Sequence, residues 1–335
     1  MPSSSRRAAR TAARTAALAS SALLAVGVSV AGLGAPASAQ PALERSRSCF
    51  DPHSVGAAAR GAARALDHRD ISAREVRAIE ARTARILARK QAAAGALAVN
   101  SKARIPVYVH EMRAANGAGD VSPTQIRAQI SVLNQTYSSS DVNEPAGSTA
   151  PDTGVRFVLA GSDEYLNNTW HHDRQSSTYR SRTRLGGKNA LNIWLVDFVD
   201  DTLGIATFPW DYAGSPAIDG IRVQYNSLRP TSLPAPGYQA IPHFGQGESA
   251  TNEAGHWLGL LHTFQGFCTA LNDAVRDTPA QSSPTAGCPV GRNSCSLPGL
   301  DPIHNYMDYS FDSCYYEFSS GQASRIDEMW DAYRA

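Results

Sequence analysis

The chain has 335 residues, with 31 Lys+Arg against 30 Asp+Glu, which is enough length for one or two domains with a full core. The near-neutral total hides a split. Residues 1–104 carry 17 basic and 6 acidic side chains, whereas residues 105–335 carry 14 and 24. The basic part is the part expected to be removed, so the split is no argument for nucleic-acid binding.

Taken in order, the chain opens as a secretory signal. Arg6, Arg7, Arg10 and Arg14 precede an apolar run over about residues 16–33, and Ala37-Ser38-Ala39 offers a cleavage site before Gln40. Its Ala, Ser and Gly content favours a removed signal over a membrane anchor, and no other stretch is apolar enough to span a bilayer. The boundaries expected are a signal peptide over 1–39, a basic prosegment over 40–103 and a folded domain over 104–335, with subdomains at 104–262 and 263–335. Residues 54–97 are rich in Ala and Arg, with Ile79, Ile86 and Leu87 at helical intervals and a break at 70–72 between two helices. So few large apolar residues build little core alone, which suits either a basic linker or a prosegment lying on the acidic domain.

Residues 105–110 read as the first strand. A helix over 121–137 follows, with Ser122 as N-cap, Pro123 at its first position, and Ile126, Ile130 and Leu133 as its buried stripe. Residues 155–160 form a second strand and 190–196 a third, apolar enough to be central. Residues 220–225 form a more alternating fourth, expected nearer an edge. Residues 203–210 between them read as a loop over which a substrate could run. After His262 regular patterning fails until a last amphipathic helix over 320–333, which places Ile326, Met329, Trp330 and Tyr333 on one face.

The chemistry concentrates at Thr251-Asn252-Glu253-Ala254-Gly255-His256-Trp257-Leu258-Gly259-Leu260-Leu261-His262. On a helix, positions 252 and 256 lie one turn apart on one face, with Glu253 beside them. Gly259 permits a sharp turn that returns His262 to the same point. This is the geometry of a three-histidine zinc site with a glutamate base, written H-E-x-x-H-x-x-G-x-x-H, except that Asn252 stands at the first ligand position. Four of the five cysteines, Cys268, Cys288, Cys295 and Cys314, lie late in the chain and permit three pairings, while Cys49 stands alone.

Residues 253–266, with the tail Asp301-Pro302-Ile303-His304-Asn305-Tyr306-Met307-Asp308-Tyr309-Ser310, resemble the pappalysin family of metzincin zinc proteases. The resemblance covers about residues 105–335 and implies an α/β (α+β) zincin-like domain, with a mixed twisted sheet, an active-site helix and an irregular disulfide-stapled C-terminal part. It implies Zn2+ on His256 and His262, with Asn252 as a degenerate ligand position. Glu253 becomes the general base, Met307 the turn beneath the metal, and Tyr309 a hydrogen-bond donor to the oxyanion. It also implies bridges Cys268–Cys295 and Cys288–Cys314, and a Ca2+ site at Asp273 and Thr278. His243 and His304 read as structural or exposed. Some relatives prefer Arg after the scissile bond through an acid just before the last cysteine; here Ser313 holds that place and Asp312 is one earlier.

The function so implied is a secreted, extracellular zinc metalloendopeptidase acting on peptides or proteins, impaired by Asn252 and held latent by its own prosegment. Cys49 is a candidate cysteine switch that would occupy the position needed by water. An amide is a poor zinc donor, and even loss of an outer-sphere partner costs about 10–100-fold in affinity or activity. Two further readings stand beside this one: a catalytically inactive protease-like module that binds peptides, and a single altered codon in an otherwise ordinary enzyme.

Overall fold

The computed structural model describes residues 71–94, 103–200 and 202–335. The expected signal peptide and Cys49 lie outside the described residues. Strands β1 (Arg104–Arg113), β2 (Arg156–Leu166), β3 (Leu191–Val196), β4 (Gly204–Ala206) and β5 (Ile221–Gln224) form one sheet in the order β2-β1-β3-β5-β4. The first four neighbours run parallel, and β4 closes the edge antiparallel to β5. All six residues of β3 are buried, as its unbroken apolar run requires of a central strand.

One expectation changes here and another is refined. Residues 203–210 were expected as a loop, but 204–206 pair as β4. Residues 220–225, expected nearer an edge, form β5 one place in from it, nearer the edge than β3 but entirely buried because β4 lies outside it. Its alternating Arg222 and Gln224 are tolerated inside because both find partners. Arg222 pairs with Asp173, and Gln224 binds Asp197 at 3.0 Å and the Phe198 amide at 2.7 Å.

Helix α1 (Ala73–Ala94) begins after the expected break at 70–72, and α2 (Pro123–Tyr137) has the expected cap. Ser122 and Gln125 exchange side-chain and backbone bonds, each at 3.2 Å, satisfying two otherwise orphaned amides. Two short helices the pattern did not suggest, α3 (Asn168–His171) and α4 (Ser176–Thr183), follow β2. Helix α5 (Glu248–Trp257) carries the motif, and α6 (Ser320–Met329) continues into a wider turn at Trp330–Arg334 rather than running on as one α-helix to 333.

The main core joins α2, the sheet and α5 to Tyr306, Met307, Tyr315, Phe318, Ile326 and Trp330, so residues on both sides of position 262 build it. A smaller cluster packs Ile71, Val76 and Ile79 of the α1 region on Phe208, Trp210, Leu261 and Met329. The segment that could have been a linker thus buries an apolar stripe on the domain. Disulfides join Cys268 to Cys295 and Cys288 to Cys314, closing the stretch that lacks regular elements. No helix among the described residues is long and apolar enough to cross a membrane.

Candidate active site

All ten residues of α5 are buried, an unusual state for a helix containing Asn252, Glu253 and His256. Its frame is polar at both ends. Near the start, Tyr137 donates to the Thr251 carbonyl at 3.1 Å. At the end, Trp257 Nε1 donates to Asp219 at 3.0 Å, and buried Arg334 binds both Asp219 oxygens at 2.7 and 3.0 Å. Arg334 also donates to the Trp257 carbonyl at 3.1 Å and lies 3.8 Å from the centroid of its ring. This clamp was invisible to pattern reading, since Asp219, Trp257 and Arg334 are far apart in sequence.

Leu258 caps the helix and Gly259 follows with φ +99°, a left-handed conformation that glycine adopts cheaply. A Cβ there would also stand 2.5 Å from Met329 Cγ. The turn brings His262 Nε2 within 2.9 Å of His256 Nε2. His256 Nδ1 is 2.9 Å from the Leu260 carbonyl and donates to it, so its Nε2 presents a lone pair to the centre. Burial holds the imidazole down to about 4, so it stays neutral at neutral pH, the form a cation needs.

Asn252 is anchored through its nitrogen. Its Nδ2 donates to the Tyr306 carbonyl at 2.7 Å, tying the first ligand position to the turn that holds Met307. Glu253 is buried against β4: a Cβ on Gly204 would fall 2.4 Å from Glu253 Cγ. Its Oε2 is buried without a hydrogen-bond partner, and burial pushes the carboxyl up to about 8 against the opposing charge of Arg222. A nearby cation or a water would satisfy that oxygen.

Met307 lies under the helix, where Gly255 leaves room; a Cβ at 255 would meet its Sδ at 2.4 Å. Asn305 Oδ1 accepts from the Met307 amide at 3.0 Å, and the Met307 carbonyl accepts from Thr263 at 3.1 Å. The His262 ring lies edge-on to Tyr309 at 4.7 Å and stacks on Phe264 at 4.8 Å. A cavity of about 570 Å³ opens beside His262 and Tyr309, with residues 71–73 and Val76 forming another part of its wall.

The structure therefore brings Asn252, Glu253, His256, His262, Met307 and Tyr309 to one locus and leaves other candidates apart. Asp273 and Thr278 sit in the loop after His262. There Asn272 Oδ1, Asp273 Oδ2 and Thr278 Oγ1 are buried without hydrogen-bond partners, and burial pushes Asp273 up to about 7. Such a set of oxygens fits a hard cation. Asp312 faces inward, accepting from the Gln246 amide at 2.7 Å. His243 stacks on Phe311 at 4.2 Å, and His304 Nδ1 bonds the Cys314 carbonyl at 2.7 Å. Sequence reading missed Gly204, although a glycine flanked by apolar residues two strands before a buried acid was its available signal.

Comparison with known proteins finds a family of metalloproteases. The peptidase M43 family, described as pregnancy-associated plasma protein-A, matches residues 191–331. An extracellular metalloprotease of Neurospora crassa is 38% identical over 73% of this chain and 80% of its own length. One of Verticillium alfalfae is 41% identical over 72% and 80%. Among solved structures, mature mirolysin of Tannerella forsythia with a cleaved peptide aligns at a TM-score of 0.57 and 28% identity, covering 68% of this chain and 91% of that one. A promirolysin variant aligns at 0.62 and 26%, covering 77% and 90%.

Proposed function

The chain belongs to the pregnancy-associated plasma protein-A (M43) peptidase family of metzincin metalloproteases, and from that premise we propose that it is a secreted zinc metalloendopeptidase, made as a zymogen and impaired by Asn252. The observation that carries this reading is the meeting of two imidazole nitrogens at 2.9 Å, one with its other nitrogen fixed on a backbone carbonyl. His256 and His262 would hold the ion. Two imidazoles suit zinc, but the third donor would be the Oδ1 of an amide whose Nδ2 is held by the Tyr306 carbonyl, a weak neutral donor in place of an imidazole, so the fit is two-thirds of the usual set. When bound, zinc acidifies a water and polarises the scissile carbonyl.

The protein's own groups supply the rest. With a cation on His256 and His262 offsetting the burial that raises its carboxyl, Glu253 would take a proton from the attacking water at its unpartnered Oε2 and hold it until the leaving amine collects it. Tyr309, held beside His262, would donate to the carbonyl oxygen as negative charge develops there. The cavity beside these rings would receive the peptide. Asp312 is buried and engaged with the Gln246 amide, which argues against its reading an Arg side chain of the substrate.

The packing of residues 71–79 on the domain, with Gln265 donating to the Ile71 carbonyl at 3.0 Å, supports the reading of residues 40–103 as an inhibitory prosegment. The signal peptide over 1–39, the catalytic domain over 104–335 and a cysteine switch at Cys49 belong to the same proposal. The orphaned oxygens of Asn272, Asp273 and Thr278 support a structural calcium site.

One observation favours a second reading. The Asn252 amide does structural service for the Met307 turn, which preserves the groove without requiring turnover and suits a peptide-binding module. Metal content and proteolysis of the mature protein, measured beside Asn252→His, separate the two. The impaired enzyme predicts partial zinc and slow cleavage, both raised by the histidine. Full zinc and equal turnover in both forms would overturn the impairment. Tight peptide binding with neither zinc nor cleavage in the natural form would establish the module.

A further inference from the structure

A second set of cation donors lies outside the active site. His171 ends α3, His172 follows it, and Asp197 leaves the end of β3; the ligand atoms of the three lie within 4.8 Å of one another. A set formed by Cys288, His304 and Cys314 is excluded because both its sulfurs are in a disulfide.

The His171 cluster is built, not merely crowded. His171 Nδ1 is 2.7 Å from the Met112 carbonyl and donates to it, which turns the lone pair of Nε2 towards Asp197 Oδ2 at 3.7 Å. His172 Nδ1, buried and without a hydrogen-bond partner, faces the same oxygen at 3.2 Å. Gln224 Nε2 occupies the other Asp197 oxygen at 3.0 Å, and the Asp197 amide donates to the His171 carbonyl at 2.6 Å. His171 and Asp197 are thus each aimed by a partner on another strand. His171 is fully buried, while the half-exposed His172 and Asp197 leave one side open to solvent.

We propose that His171 Nε2, His172 Nδ1 and Asp197 Oδ2 form a second divalent-cation site with an open position for water. Two imidazoles and one carboxylate select borderline ions such as Zn2+, Co2+ or Ni2+ over Ca2+ or Mg2+. Its place in the chain gives it a role. Asp197 begins the connection from β3 to β4, and β4 carries Gly204, which lies flat against Glu253. The ion would tie the α3 turn to the root of the segment that cradles the acid. The site stands on its own geometry and survives failure of the peptidase reading.

Co2+ titration of the full-length chain, followed by calorimetry and visible absorption, tests it against His172→Ala and Asp197→Asn. His172 is partly exposed, and asparagine keeps the Gln224 contact, so both variants should fold; circular dichroism checks that. The unaltered chain should bind one equivalent more than His172→Ala, and Asp197→Asn should weaken that equivalent by about tenfold or more. The Co2+ bound at His256 and His262 is common to all three proteins and cancels in the difference. Equal stoichiometry and affinity in folded variants would overturn the proposal and reduce the cluster to an ion pair.

Discussion

Glu253 and His256 ride on a helix with every residue buried, whereas Met307 and Tyr309 sit on chain that has no α-helix or strand from His262 to α6. The helical ladder fixes its two residues relative to one another, and only its ends need anchoring. The irregular chain is held tether by tether. Asn305 and Gln322 exchange two bonds at 2.7 and 3.0 Å, and Asp308 accepts from Gln281 and from the Thr285 amide at 3.0 Å. Two disulfides close the remaining loops. The lesson is that the two halves of one site should fail differently: the helical half globally, through its anchors, and the irregular half locally, one tether at a time.

The largest test strikes the helix anchor. Asp219→Ala leaves Arg334 and Trp257 Nε1 buried without their acceptor, and should cost about 3–5 kcal/mol in urea unfolding, with the whole domain lost in one transition. If only the C-terminal region loosened, the contrast would be broken. The double change Cys288→Ser with Cys314→Ser opens a loop of sequence separation 26 and should cost about 3 kcal/mol. Here hydrogen exchange should rise first around Met307 while the sheet stays protected. Asn305→Ala removes the buried acceptor of the Met307 amide and its Gln322 pairing, for about 1–3 kcal/mol. Tyr309 ordering, read from its fluorescence or proton resonances, should degrade before global stability does.

The smallest test lies in the sheet. Burial pushes Glu111 up to about 7, with Asp120 and Glu164 raising it further and Arg113 and the Val121 amide opposing. Between the unfolded value of 4.5 and about 7 the native state holds more protons, so this group's contribution to stability falls as pH rises through that window. Glu111→Gln should remove this slope, seen as a flatter dependence of the urea midpoint on pH. A steeper dependence in the variant would contradict the assignment.

The sequence by itself determined much of this. Ser122-Pro123 located α2, the apolar run of β3 made it central, and the spacing from Glu253 to His262 located the site, because caps, periodicity and glycine turns are local physics. The resemblance supplied the cysteine pairing that spacing left open. Other features were illegible for a physical reason. The edge strand β4 has three residues, too few for a pattern, and Arg222 and Gln224 looked exposed because their buried partners lie on distant segments. The Asn252–Tyr306 bond, the Asp219–Arg334 clamp and the His171–His172–Asp197 cluster each join residues brought together only by the finished fold. Local rules chose the helices, turns and ligands; long-range burial decided which polar groups met, and so what each could do.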